Sequence, residues 1–169
     1  MKNKSTLGTI IISPSGQTEG GILEDRLYEA IFQKDGEALF PREIINTLEI
    51  NVFIDKFGSK KDDHCLVAEL NDKIIGAVWV RILDGKVKGY GNLDSKTPEF
   101  AISLFKEYRS KGYGTMMMGK MIEYLKSKGY SQASLSVDKE NYAAKMYKKL
   151  GFKIFRENEK DLVMVLKLI

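Results

Sequence analysis

Arg109, Gly112 and Gly114 stand at RxxGxG spacing between an apolar stretch of strand character, Glu99 to Phe105, and a helical stretch that begins near Thr115. A helix start leaves about four backbone N–H groups without partners and carries a partial positive charge, which together make an anion site. Glycines at 112 and 114 let phosphate oxygens approach that backbone where a β-carbon would obstruct them, and Arg109 and Lys111 add charge beside it. Two other phosphate-binding patterns fail here. A dinucleotide fingerprint needs a third glycine where Met117 stands and an acidic residue ~20 positions on, at a strand end. Gly114 to Lys120 fits the first seven positions of a P-loop, but Met121 has no hydroxyl for magnesium, and Met116, Met117 and Met118 read as packed helix.

Around this turn the elements follow from periodicity. Leu7 to Ser13 predicts an opening strand ending at Pro14 in a Ser/Gly turn. Leu23, Leu27, Ala30 and Ile31 mark one face of a helix. A second helix is predicted with Pro41 in its first turn and Ile44, Ile45, Leu48 and Val52 facing inward. Lys60 to Asp63 reads as a solvated loop. His64 to Leu70 and Ile74 to Leu83, joined by Asn71-Asp72-Lys73, predict an antiparallel hairpin. Gly85 to Thr97, with three glycines and Tyr90, reads as a long mobile loop or an irregular hairpin. After the strand at Glu99 comes a helix with Met118, Met121, Ile122 and Leu125 at i, i+3, i+4 and i+7, stopped by Gly129. Ala133, Leu135 and Val137 alternate with serines in the next strand. Ala143, Met146, Tyr147 and Leu150 repeat the helical spacing before Gly151, and Phe152 to Glu157 with Leu162 to Ile169 make a closing hairpin. The order βααβββαβαββ predicts an α/β domain with a mixed sheet.

The stretch EFAISLFKEYRSKGYGTMMMGKMIEYLKSKGY closely resembles the coenzyme-binding motif of the GNAT family, the Gcn5-related N-acetyltransferases. LSVDKENYAAKMYKKLGF resembles the second family motif, with Asn141, Ala143, Tyr147, Gly151 and Phe152 in register. Together they span residues 99–152, in the family's order and separation. RxxGxG alone is weak evidence, whereas the pair is strong. The resemblance implies a GNAT fold over a single domain, 1–169: a mixed, mostly antiparallel sheet of about seven strands flanked by about four helices.

It also implies acetyl-CoA as co-substrate and an amine as acceptor. The pyrophosphate is then expected on the amides of Lys111, Gly112, Tyr113, Gly114 and Thr115, and the pantetheine arm on Ile102 and Leu104, paired like an added strand. A bulge in that strand is expected to splay it from Ala133 to Val137, and the N–H of Leu104 or Phe105 to bond the thioester oxygen as it gains charge. Tyr147 matches the family's general acid; by spacing alone it fits a packing residue equally. Glu99 is the candidate general base, although it lies one position nearer Arg109 than in the usual pattern and strand alternation bears on which face it takes. Glu69 and a water chain are the alternatives. Lys148 and Lys149 solvate a helix or lie near the coenzyme 3′-phosphate.

Composition narrows the classes. In 169 residues, 43% hydrophobic and 30% charged, there is core enough for a globular domain, and disorder and fibrous folds are excluded. No apolar run approaches the ~20 residues a bilayer span requires, so no membrane partner is expected. Cys65 is the single cysteine, which excludes an internal disulfide and a multi-cysteine metal site and points to a reducing cytoplasm. His64 beside it points to the opposite strand face, so the two make no nucleophile pair, and Cys65 reads as buried. No metal site is expected. Trp79 is expected in the hairpin core. Residues 1–100 carry a net charge of −3 and the remainder +7; the basic half suits a polyanionic coenzyme, no aromatic-basic motif supports nucleic acid, and the acidic half suits a cationic acceptor. Two functions stay open: an N-acetyltransferase acting through a ternary complex, and an acyl-CoA-binding sensor or partner module without turnover. Homodimers are common in the family, and a homodimer is left open.

Overall fold

The computed structural model describes residues 10–14 and 20–169. Its elements run β1 (Ile10–Pro14), α1 (Gly20–Ala30), a 3-10 turn (Arg42–Asn46), α2 (Leu48–Asn51), β2 (His64–Leu70), β3 (Lys73–Arg81) and β4 (Glu99–Leu104). A 3-10 turn (Lys106–Tyr108) leads to α3 (Tyr113–Ser127), β5 (Gln132–Asp138), α4 (Ala143–Leu150), β6 (Lys153–Glu157) and β7 (Asp161–Lys167). Residues 7–9 of the expected first strand, and the Ser/Gly turn after it, lie outside the described residues.

The seven strands form one sheet in the order β1-β2-β3-β4-β5-β7-β6, with every neighbouring pair antiparallel except β4 and β5. This is the mixed, mostly antiparallel sheet expected. The β2–β3 connection turns on Asn71 and Asp72, both at positive φ (52° and 62°), as the right-handed twist of a tight hairpin demands. Alternation then divides the buried side chains between two faces. On one face α3 presents Met117, Met118, Met121 and Leu125 to Phe100, Leu104, Ala133, Leu135 and Val137, and α4 adds Tyr147. On the other, Leu23 and Leu27 of α1 pack on Cys65, Val67, Ala77 and Trp79. Cys65 and Trp79 are buried as expected.

Pro41 to Val52 does not form the single helix expected. Thr47 adopts extended geometry (φ −68°, ψ 145°) and splits the segment into the 3-10 turn and the short α2. That break changes the phase of the inward face: Leu48 is 70% exposed, while Ile45, Ile50, Phe53, Ile54 and Phe57 pack against the α1 cluster. The Lys60–Asp63 segment is not simply solvated either. The Asp63 side chain is fully buried and takes two hydrogen bonds of 3.0 Å from the Arg81 guanidinium, whose Nη1 also donates to the carbonyls of Val52 and Asp55 at 2.9 Å. Two charges 18 residues apart thus tie the end of the α2 segment to β3; with its donors met, such a buried pair tolerates removal from water. Among the described residues no helix is long and apolar enough to cross a membrane.

Candidate functional site

β4 and β5 are joined at one pair only, Glu99 with Ser134, sealed by the Ser134 N–H donating to Pro98 O at 2.9 Å. Beyond it the strands diverge. No bulge produces this opening: the ladder of β4 with β3 is continuous from Arg81–Glu99 to Gly76–Leu104, and β5 turns instead to pair with β7 along its whole length. The phase of the β3–β4 ladder is set by the Phe105 N–H, which donates to Ile75 O at 3.1 Å. In an antiparallel ladder successive residues point their backbone groups to opposite edges. Ile102 and Leu104 therefore turn theirs toward the opening, and Phe105 does not. Of the two amides considered for the thioester oxygen, Phe105 is excluded because it is already bonded, and Leu104 remains. The Phe105 ring serves elsewhere, stacked under the Arg26 guanidinium at 4.1 Å.

The opening continues into a groove of about 1110 Å³ lined by Ile102, Leu104, Gly112, Gly114, Thr115, Asn141 and Tyr147, among others. At its end the chain enters α3 through Ser110 (φ 60°) and Gly112 (φ 87°). A β-carbon on Gly112 would meet nothing within 4 Å, so its role is conformational: it supplies the left-handed turn that aims the following amides outward. A β-carbon at Gly114 would reach Met146 Sδ only at 3.4 Å, so a small residue fits there without backbone strain.

The charged residues of the turn behave differently from one another. Arg109 lines the groove but spends its guanidinium on the fold, donating from Nε to Leu104 O at 2.8 Å and pairing with Glu29 of α1 at 3.4 Å. It clamps the end of β4 to α1. Lys111 is exposed and does not line the groove, and Tyr113 is buried in the core, which leaves its amide alone for any ligand. Asn141 accepts from the Ala143 N–H at 2.9 Å and so satisfies one open donor at the start of α4. Lys149 borders the groove and Lys148 does not.

Tyr147 is buried against Phe152 (ring centroids 5.9 Å), and Phe152 packs edge-on to Phe100 at 5.8 Å. Burial pushes its phenol well above the ordinary value, so the proton stays on the hydroxyl at neutral pH. Glu99 lies on the other sheet face, with Ala101 and Ser103. It is 2% exposed, and burial raises its carboxyl to about 7 despite the opposing hydrogen bond from the Gly91 N–H to Oε2 at 2.9 Å. Its Oε1 is buried without a protein partner.

The Gly85–Thr97 segment is the irregular hairpin of the two forms expected, bridged at Asp84–Lys88, and it folds down over Glu99. Two glycines allow this. A β-carbon at Gly89 would fall 2.0 Å from Glu99 Oε1, and one at Gly91 2.6 Å from the Leu135 carbonyl carbon. Glu69 lies in β2 opposite Ile11, two strands from β4 and outside the groove. Sequence reasoning missed the contribution of Phe53, whose ring stacks on Tyr90 at 6.3 Å; the misplaced helix boundary at Thr47 hid its direction.

An open strand edge running into an amide-lined turn is what an extended arm ending in a diphosphate requires, and the backbone present fits coenzyme A on those grounds. Residues 26–152 match the acetyltransferase (GNAT) family. The [ribosomal protein bS18]-alanine N-acetyltransferase of Haemophilus influenzae is 36% identical over 93 residues, 54% of this chain and 53% of that protein, so the chain spans about half the length of this curated relative. Among solved structures, the PaiA N-acetyltransferase of Thermoplasma acidophilum in complex with coenzyme A has a TM-score of 0.67 at 20% identity, covering 94% of this chain and 99% of that one. YncA of Salmonella typhimurium, solved with its cofactor acetyl-CoA, has a TM-score of 0.66 at 15% identity, covering 95% of each chain. The fold and the match over three quarters of its length agree: this chain belongs to the acetyltransferase (GNAT) family.

Proposed function

We propose that this protein, acting as a single domain, transfers the acetyl group of acetyl-CoA directly to a primary amine of a small molecule or peptide within a ternary complex. The observation that carries the proposal is the open edge of β4 at Ile102 and the Leu104 N–H, in one groove with the turn at 109–115. The pantetheine amides pair with that edge, and the diphosphate rests on the outward amides between Gly112 and Thr115. The Leu104 N–H donates to the thioester oxygen as it becomes anionic, a contact worth most where water is excluded.

Tyr147 lines the groove and Glu99 lies buried on the opposite sheet face under the Gly89–Gly91 loop, and the two divide the proton work. An ammonium acceptor has no lone pair. Near neutrality Glu99, with its carboxyl raised to about 7, is ionised in a substantial fraction of molecules and basic enough to take the ammonium proton, directly or through water. Tyr147 donates its hydroxyl proton as a hydrogen bond to the leaving sulfur. A thiolate is a weaker base than a buried phenolate, so the phenol stabilises the sulfur charge without surrendering its proton fully. The bS18-alanine relative puts peptide N-termini among the acceptors to be tried. The buried Cys65 and the lack of a disulfide suit the cytoplasm.

The test is twofold. Titration calorimetry with acetyl-CoA reads binding, and release of free CoA thiol against polyamines, amino acids, aminoglycosides and N-terminal peptides reads turnover. Binding with turnover supports the proposal. No heat on mixing overturns the coenzyme site, and binding without thiol release from any acceptor supports a sensor module in its place.

A further inference from the structure

Of residues 84–96, between β3 and β4, only Gly89 and Gly91 are buried, and a glycine has no side chain to bury. The segment is therefore seated through its backbone, and its seat is the single β4–β5 bridge. Gly89 lies on the Glu99 carboxyl, where a β-carbon would stand 2.0 Å from Oε1, 2.7 Å from Cδ and 3.0 Å from Oε2. The Gly91 N–H donates to Glu99 Oε2 at 2.9 Å, and the same residue lies on β5, where a β-carbon would stand 2.6 Å from the Leu135 carbonyl carbon and 2.8 Å from the Ser136 nitrogen. Ser134 is the bridge partner of Glu99, so Gly91 crosses from β4 to β5 where the two strands begin to part.

Little apolar area secures this turn. Tyr90, 53% exposed, stacks on Phe53 with ring centroids 6.3 Å apart. The Asp84–Lys88 bridge and the Gly89 N–H on Leu83 O at 3.1 Å are internal to the hairpin, so they hold its shape rather than its seat. A segment seated by one aromatic stack and one hydrogen bond opens well below the free energy of global unfolding. The charged groups around Glu99 are engaged elsewhere. Arg81, its neighbour across β3, is held by Asp63. In the hairpin Asp84 pairs with Lys88, Asp94 accepts from the Lys96 and Thr97 amides, and Lys86 and Lys96 are exposed. β5 presents the uncharged Ser134, and Glu49 and Asp161 act on the Tyr90 phenol, not on Glu99. Two influences on the carboxyl remain: burial, which favours the protonated form, and the weaker opposing hydrogen bond from Gly91.

Glu99 is 2% exposed, and a carboxyl sealed in this way cannot trade a proton with an acceptor or with water. From this we infer that Gly89 and Gly91 are positioning residues for Glu99: the turn they form is a movable cover, which seals the carboxyl when seated and lifts to let the acceptor proton reach it. The absence of β-carbons is what permits the seat. Gly89 needs no left-handed φ, and the atoms nearest its missing β-carbon all belong to the Glu99 carboxyl. The seated cover favours the neutral acid and the lifted cover the solvated carboxylate, so ionisation and lifting promote each other. The inference rests on the reading of Glu99 as general base, and its first test makes no use of turnover.

Hydrogen exchange of the amides of residues 86–93, corrected for the intrinsic dependence of exchange on pH, reads the cover directly. With the lifted carboxyl at its ordinary 4.5 and the seated one at about 7, the seated-to-lifted ratio in wild type should fall about 70-fold between about pH 5 and about pH 8. In Glu99→Gln it should stay constant. Protection that is independent of pH in wild type, or that falls equally in Glu99→Gln, overturns the inference. Gly89→Ala keeps the cover from seating. Protection of the same amides should drop at least ~10-fold at about pH 5 while those of β3 and α3 are unchanged, and the rising limb of kcat/KM should move from about 7 toward 4.5 with KM for acetyl-CoA unaltered. Retained protection in Gly89→Ala likewise overturns the cover. A cover that lifts as expected, in a variant whose kcat/KM limb stays in place, supports the cover and removes Glu99 as the base.

Discussion

Replacing Glu99 by Gln tests the buried carboxyl without disturbing its shape. Glu99 keeps one oxygen on the Gly91 N–H and the other buried beneath Gly89 without a hydrogen-bond partner, and the amide oxygen of a glutamine there can accept the same hydrogen bond. The carboxyl shifts from its ordinary 4.5 to about 7 on folding. A raised carboxyl favours the folded state while it is protonated: the contribution is fully present below pH 4.5 and is lost as pH rises through about 7. Linkage between those two values gives a loss of about 2.5 kcal/mol between about pH 5 and about pH 8. The comparison with Glu99→Gln cancels every other titrating group. Urea unfolding of both proteins should show the variant gaining about 2.5 kcal/mol on wild type over that interval, or about 5–10 °C in Tm for a chain of this size. The activity should move the other way: wild-type kcat/KM rises through about pH 7, and the variant is slow and flat there. A stability difference that does not change with pH would mean that Glu99 is solvated or paired in the folded protein, and the reasoning about its proton would fail.

Three further outcomes are expected. Tyr147→Phe keeps the ring contact with Phe152 and should lower kcat at least ~10-fold with little change in acetyl-CoA affinity; unaltered kcat would return Tyr147 to a packing role. Arg81→Met leaves Asp63 buried without its partner and frees two carbonyls, so denaturant unfolding should show a loss of about 3–5 kcal/mol, with Asp63→Asn less severe. Gly112→Ala meets no atoms but must hold φ near 87°; about 1–2 kcal/mol of strain should appear in stability, with weaker coenzyme binding by calorimetry as the turn relaxes.

Where contacts are local in sequence, the chain was readable. The spacing of Met118, Met121 and Leu125 predicts the buried stripe of α3, and Gly129 and Gly151 end their helices at φ 82° and 104°, conformations that side chains resist. The Asn71-Asp72 turn and the serine-alternating β5 follow from two-residue periodicity. Decisions made between distant residues were not readable. Asp63 looks like a surface charge until Arg81 is brought beside it, and Phe53 gains its direction only because Thr47 breaks the preceding helix. The same holds within the site. Sequence similarity selects Leu104 and Phe105 equally, and the choice between them depends on the ladder phase that Ile75 sets across the sheet. Arg109 keeps its place in the motif, yet its guanidinium is recruited by Glu29, 80 residues away.

The lone bridge between Glu99 and Ser134 divides the hydrogen-bond network into a four-strand ladder and a three-strand ladder, joined mainly by side-chain packing under α3 and α4. Such a seam should breathe. In the free protein, amide exchange near the seam should be fast and should relax separately on its two sides, whereas a ligand lying along β4 supplies the missing rungs and couples them. The co-substrate would then act as an eighth strand for the length of each turnover, and its departure would return the sheet to two halves.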